Sequence, residues 1–236
     1  MSIKENLARI QENIASAAQK SGRTPQDITL VAVSKTIPIE RIREAFDCGI
    51  TTFGENRVQE LLPKCESLPQ ANWHMIGHLQ TNKVKFVTDK VKLIHSVDSL
   101  RLAQEINKRT ANKPAENKPN TSPDTSLDIL IEINIAQEDT KQGVAPENAL
   151  FLIEQISTLP NICTKGLMCI APYVEHSEEN RLYFEKMYRL FVDIRDRSLH
   201  NVDMQYLSMG MTGDYEVAIE EGANIIRVGT GLFGRR

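Results

Sequence analysis

The chain alternates eight times between a short apolar run rich in β-branched residues and a segment of helical periodicity. No other feature limits its fold as much. The first run covers residues 28–34. The others cover 51–54, 73–77, 92–97, 127–135, 162–170, 204–209 and 225–229. Runs of this kind, apolar without strict alternation, suit strands buried on both faces of a parallel sheet. Helical segments follow each run: from Pro38 through Ile39, Ile42, Ala45 and Phe46; through Val58, Leu61 and Leu62; then 81–87, 98–109, 146–157, 177–198 (the longest) and 213–221, with a short turn or helix after the last strand. Strand–helix alternation predicts an α/β fold, and eight units close a (β/α)8 barrel. An open doubly wound sheet is the rival arrangement. An additional helix stands in front, with Ile3, Leu7, Ile10 and Ile14 on one face and a capping box of Ser2 and Glu5. The chain therefore reads as one barrel domain over residues 1–236 with an extra N-terminal helix.

One stretch breaks the pattern. Residues 111–126 hold three prolines, three asparagines and no bulky apolar side chain. Such a stretch cannot offset its ordering entropy by burial, so it reads as a mobile loop between the fourth helix and the fifth strand. The rest of the composition is that of an ordinary globular protein. Hydrophobic residues make up 41%, charged residues 25%, and the net charge is −3. That balance argues against nucleic acid as a partner. No run approaches the roughly 18 apolar residues of a membrane span, and the polar N-terminus is no signal peptide. Cys48, Cys65, Cys163 and Cys169 match no zinc spacing and read as reduced thiols of a cytoplasmic protein. The expected metal set is none.

In a barrel, chemistry gathers at the C-terminal ends of the strands. Lys35 ends the first strand there. Its amine either reaches solvent along its stem or sits partly desolvated, where a neutral amine attacks an aldehyde. The loops after strands seven and eight, SMGMTGD and VGTGLFG, offer glycines and the hydroxyls of Ser208, Thr212 and Thr230. They read as a phosphate cradle or as tight turns. Asp214 and Glu216 argue against an anion on the seventh helix itself. A lysine facing a phosphate cradle suits an aldehyde that bears a phosphate, and pyridoxal 5′-phosphate has that shape. Arg227 would lie within reach of its ring nitrogen or its phosphate; a structural ion pair is the plainer role. Beside the ring nitrogen, an arginine would keep that nitrogen unprotonated.

The segments VAVSKT (31–36), FGENRVQE (53–60), WHMIGHLQTNK (73–83), HSVDS (95–99), GLMCIAP (166–172), LSMGMTGDYEVAI (207–219) and RVGTGLFG (227–234) give the chain a close resemblance to the pyridoxal phosphate homeostasis protein family. The resemblance implies a monomeric barrel of the fold-type III class, related to the N-terminal domain of alanine racemase. It implies pyridoxal phosphate held as an internal aldimine on Lys35. It further implies phosphate contacts from Ser208, Gly229 and Thr230, with Asn56, Met209 and Arg227 lining the site. Thr212 replaces a serine common in the family motif. Family members bind the cofactor, limit free aldehyde and influence amino-acid and keto-acid metabolism, so the implied role is homeostasis, with apo-enzymes as recipients of the cofactor. The expectation is no efficient catalysis, because nothing after the eighth strand would build the second domain that supplies a racemase with its other base. A racemase-like enzyme is the alternative, and a phosphate-sugar isomerase barrel is a third reading. His78 reads as a scaffold residue.

Overall fold

A computed structural model describes residues 2–111, 126–138 and 140–234. Eight parallel strands form a closed barrel: β1 (Thr29–Val33), β2 (Thr52–Glu55), β3 (Asn72–Met75), β4 (Leu93–Val97), β5 (Leu127–Ile133), β6 (Ile162–Cys169), β7 (Val202–Met211) and β8 (Ile225–Val228). The helices are α1 (Ile3–Lys20), α2 (Ile39–Asp47), α3 (Val58–Ser67), α4 (Leu100–Ala111), α5 (Pro146–Ile156), α6 (Arg181–Arg195), α7 (Tyr215–Glu220) and α8 (Thr230–Phe233). Closure rules out the open sheet. All but one residue of the stretch 112–126 lie outside the described residues; Ala111 ends α4 and Ser126 precedes β5.

Alternation along each strand sorts two cores. One face of the strands, with Ala32, Phe53, Met75, Ile94, Ile131, Leu167 and Ile226, packs against the surrounding helices. The other face places Val31, Leu93, Leu130, Met168 and Ile225 in a small apolar plug inside the barrel. The barrel closes where β1 pairs with β8, Val31 opposite Arg227 and Ala32 opposite Val228. Helix α1 straps that seam from outside. Its capping box forms as the sequence requires, Glu5 N–H donating to Ser2 Oγ (3.2 Å) and Ser2 N–H to Glu5 Oε2 (2.7 Å). Asn6 Nδ2 then donates to the Leu232 carbonyl (2.9 Å), Asn13 to Glu216 (2.7 Å) and Lys20 to Glu220 (2.8 Å). The Arg23 guanidinium reaches the carbonyls of Ile219 in α7 and of Ala223 just beyond it.

Two elements depart from the sequence expectation. The third helical segment is a 3-10 helix, Thr81–Phe86. Only Val84 in it is buried, so no apolar stripe exists to hold a regular α-helix. The sixth begins as a 3-10 turn, Ser177–Asn180, before α6. There Asn180 donates to the Pro172 carbonyl (3.1 Å) and to Asp214 (2.9 Å), tying this turn to the loops after β6 and β7. Among the described helices the longest is therefore α1, with 18 residues, ahead of α6 with 15. On α6, Phe184, Met187, Phe191 and Ile194 are buried against the barrel, while Tyr183 and Leu190 are only partly covered.

Gly166 sits at a bulge where β6 meets β7, at φ +152°. A Cβ there would stand 1.7 Å from the Tyr206 carbonyl oxygen, a backbone atom that cannot swing away. Gly166→Ala is expected to destabilise the fold by about 3 kcal/mol or more. Urea denaturation checks this; a change under about 0.5 kcal/mol, the size of an ordinary surface substitution, would show that the bulge yields.

Candidate functional site

All eight strands run the same way, so their C-terminal ends share one mouth. Lys35 follows β1, Asn56 follows β2, and Gly229 with Thr230 follows β8. Lys35 is exposed at the rim. The turn that carries it is held from beneath by a buried ion pair. Lys64 Nζ donates to Glu55 Oε1 (2.6 Å) and to the Ser34 carbonyl (2.8 Å), and Ser34 Oγ donates to the same Glu55 oxygen (2.6 Å). On the other side of Lys35, the Thr36 N–H donates to Glu60 Oε2 (2.6 Å). Thr36 adopts φ +61°, a conformation costly for a β-branched residue. Contacts on both flanks hold the backbone in it.

The signal for this pair lay in α3, where Leu61, Lys64, Cys65 and Leu68 recur at helical spacing. A lysine inside an apolar stripe must find a partner.

The second buried polar group crosses the barrel. Arg227 Nη1 donates to Ser208 Oγ (2.6 Å), and Nη2 donates to the Cys169 carbonyl (2.7 Å). Ser208 Oγ lies 3.0 Å from His95 Nδ1, and His95 Nε2 lies 3.0 Å from His74 Nδ1. Strands β4 and β7 are not neighbours, so the contact between His95 and Ser208 spans the interior. Arg227 is buried, and among the described residues no carboxylate stands within ion-pair distance of it. The ion-pair role for Arg227 is thus not what the structure shows. Burial lowers His74 to about 4 and holds His95 well below the ordinary histidine value, with His74 and Arg227 adding repulsion there. Burial also pushes the Cys169 thiol up to about 12, so it is no nucleophile.

The remaining expected residues separate into groups. Thr230 Oγ1 and the Gly231 N–H each lie 3.3 Å from Thr212 Oγ1, which links the loops after β7 and β8. Ser208 is grouped with Arg227 rather than with Thr230. Met209 alternates with Ser208 and its side chain is buried in the core around the barrel, so only its backbone is left for a ligand. Asn56 lines a cavity of about 210 Å³ with His78, Glu132, Asn134 and Lys141. Its buried Oδ1 has no partner among the described residues. Gly77 passes so close that a Cβ on it would stand 2.5 Å from the Asn56 carbonyl oxygen. Burial, then repulsion from Asp98, raises the Glu132 carboxyl to about 7, while Arg227 pulls the other way. His78 is exposed at this cavity, 3.9 Å from Asp98, so the histidines of the scaffold are His74 and His95. No cysteine forms a disulfide. No metal-binding cluster and no helix long and apolar enough to cross a membrane occurs among the described residues.

Residues 6–236 match the family described as alanine racemase, N-terminal domain. A pyridoxal phosphate homeostasis protein of Aquifex aeolicus is 47% identical over 98% of this chain and 97% of its own length. The Escherichia coli K12 protein of that name is 37% identical, covering 99% of this chain and 97% of its own. This chain belongs to the pyridoxal phosphate homeostasis protein family. Among solved structures, PipY of Synechococcus elongatus with PLP bound superposes with a TM-score of 0.82 at 31% identity, covering 99% of this chain and all of that one. Alanine racemase of E. faecalis shares the fold, with a TM-score of 0.68 at 15% identity; this chain corresponds to 59% of it.

Two outcomes follow from the buried charges. Lys64→Met leaves Glu55 charged and unpaired, and is expected to cost about 3–5 kcal/mol in urea denaturation, largely restored when Glu55→Leu is added. Between the ordinary carboxyl value of 4.5 and about 7, the folded chain keeps a proton on Glu132 that the unfolded chain has lost. That residue makes stability fall as pH rises through this window, and its contribution is flat above it. Glu132→Gln is therefore expected to gain on the parent by about 2–3 kcal/mol between pH 4.5 and pH 8. An unchanged difference between the two pH values would mean the carboxyl is not held neutral.

Proposed function

We propose that this chain binds pyridoxal 5′-phosphate and serves its intracellular homeostasis, with Lys35 as the residue that carries the cofactor. The observation that carries the reading is Arg227, a buried guanidinium that meets a hydroxyl and a carbonyl but, among the described residues, no carboxylate. A buried cation without an anion is costly, and a phosphorylated cofactor supplies the missing negative charge. The Asn56 Oδ1, without a partner among the described residues, and the joined glycine loops at Thr212 and Thr230 fit the same group. Bound there, the cofactor supplies a reactive aldehyde and an electron-withdrawing ring.

The chain's own residues then divide the work. Lys35 would hold the cofactor through its Nζ amine. The Glu55–Lys64 pair keeps the Lys35 turn in place. Thr230, Gly229 and Thr212 hold the phosphate end. Arg227, which cannot give up a proton, would keep any cofactor nitrogen within its reach unprotonated and so weaken the ring as an electron sink. That electrostatic arrangement favours storage and delivery, with apo-enzymes as recipients, over turnover. The same aldehyde chemistry on a racemase-like fold leaves a weak amino-acid activity as the second reading.

Purified protein is expected to be yellow, and borohydride is expected to leave the mass of the reduced cofactor on the peptide that contains Lys35. Lys35→Ala should be colourless. A reducible adduct that persists elsewhere in that variant would displace Lys35 from the role. Loss of the α-deuteron from labelled alanine, at a rate well above that of free cofactor, would favour the enzyme reading.

A further inference from the structure

We propose that His95, backed by His74, is a positioning residue for Arg227, and that it acts by accepting the one hydrogen bond that the Ser208 hydroxyl can donate. The inference rests on a count of hydrogens along the buried chain. A guanidinium can only donate, so Ser208 Oγ accepts from Arg227 at 2.6 Å. The hydroxyl has a single hydrogen to place. Among the described residues its one other partner is His95 Nδ1, at 3.0 Å. Both histidines are buried and neutral, so each carries one N–H. Only two arrays satisfy these contacts.

In the first, Ser208 donates to His95 Nδ1, His95 Nε2–H donates to His74 Nδ1, and His74 Nε2–H points on toward the opposite mouth of the barrel. There His74 lines a cavity of about 230 Å³ with Asn72, Lys92 and Asp128. In the second, every histidine bond is reversed. His95 then aims an N–H at an oxygen already occupied by Arg227, and the Ser208 hydrogen is left without an acceptor among the described residues. The charge of Arg227 decides between them. In the first array each bond turns its lone pair toward the guanidinium and its hydrogen away, so the dipoles align with the charge and reinforce one another. In the second they oppose it, inside a barrel where water cannot screen the penalty.

The first array has a structural result. The Ser208 lone pair is fixed on Nη1 while the Cys169 carbonyl takes Nη2, and two anchors on one planar group set its orientation. It has a chemical result too. The Ser208 hydrogen is committed to the barrel interior, so the donors to a phosphate come from the loops that carry Thr212, Gly229 and Thr230.

The first arm of the test needs no cofactor. Long-range proton–nitrogen NMR of the unliganded protein, labelled at histidine and read near neutral pH, is expected to show the Nε2–H form for both His74 and His95. A proton on Nδ1 of His95 overturns the proposal. The second arm rests on the functional reading above. His95→Leu removes the acceptor and is expected to weaken pyridoxal phosphate binding by about tenfold and to shift the visible band of the loaded protein. His95→Gln, whose carbonyl can again accept from Ser208, should recover both to within about twofold of the parent, the scatter of a small hydrogen-bond difference. If Gln behaves as Leu does, His95 is only packing and the proposal fails. If the parent chain takes up no cofactor, the functional reading fails instead, and the tautomers alone decide the inference.

Discussion

The pairing of β1 with β8 is the constraint on which the rest of the molecule depends. It turns a twisted parallel sheet into a closed surface and removes both edges. It also assembles the site. Lys35 leaves one side of that seam and Gly229 with Thr230 leaves the other, while Arg227 lies within it, opposite Val31. No shorter sheet would bring these residues to one mouth. The bonds from α1 and from Arg23 just after it to the loops and helices around β8 show how much of the chain is devoted to the seam. The cap, Asn6, Asn13, Lys20 and Arg23 each perform a separate part of one fastening.

Inside the barrel, an apolar plug and a polar chain divide the space. Val31, Leu93, Leu130, Met168 and Ile225 fill one part as any barrel core would. Arg227, Ser208, His95 and His74 run through the other. Replacing such a chain by apolar side chains of equal volume often gains stability. The Glu55–Lys64 pair is of the same kind. It sits in the interior and acts on the backbone flanking Lys35.

Much of this was legible in the sequence because barrels are built from local rules. Runs rich in Val and Ile marked the strands, and Ser2 with Glu5 marked the first cap. The family motifs marked Lys35 and the closing loops. The parts that stayed hidden depend on contacts between distant segments. Nothing local in WHM and HSV says that His74 and His95 meet, since their approach depends on the register of β3 against β4. The strand β7 continues to Met211 and turns the Ser208 hydroxyl inward toward Arg227 and His95, which no local pattern announces. The stretch 81–87 has helical composition but no buried stripe, and only the completed fold shows how little of it is covered.

The seam also sets an order of events. It joins residues near the start of the chain to residues near 228, one of the longest sequence separations this fold contains. Contacts that far apart carry a large loop-closure entropy and form late in folding. On the ribosome, β1 waits for its partner until seven other strands have been made. Lys35 is thus exposed on a nascent chain well before Arg227 and the closing loops exist to surround it. The mouth is therefore a property of the finished barrel, and the last strand to emerge is the one that completes it.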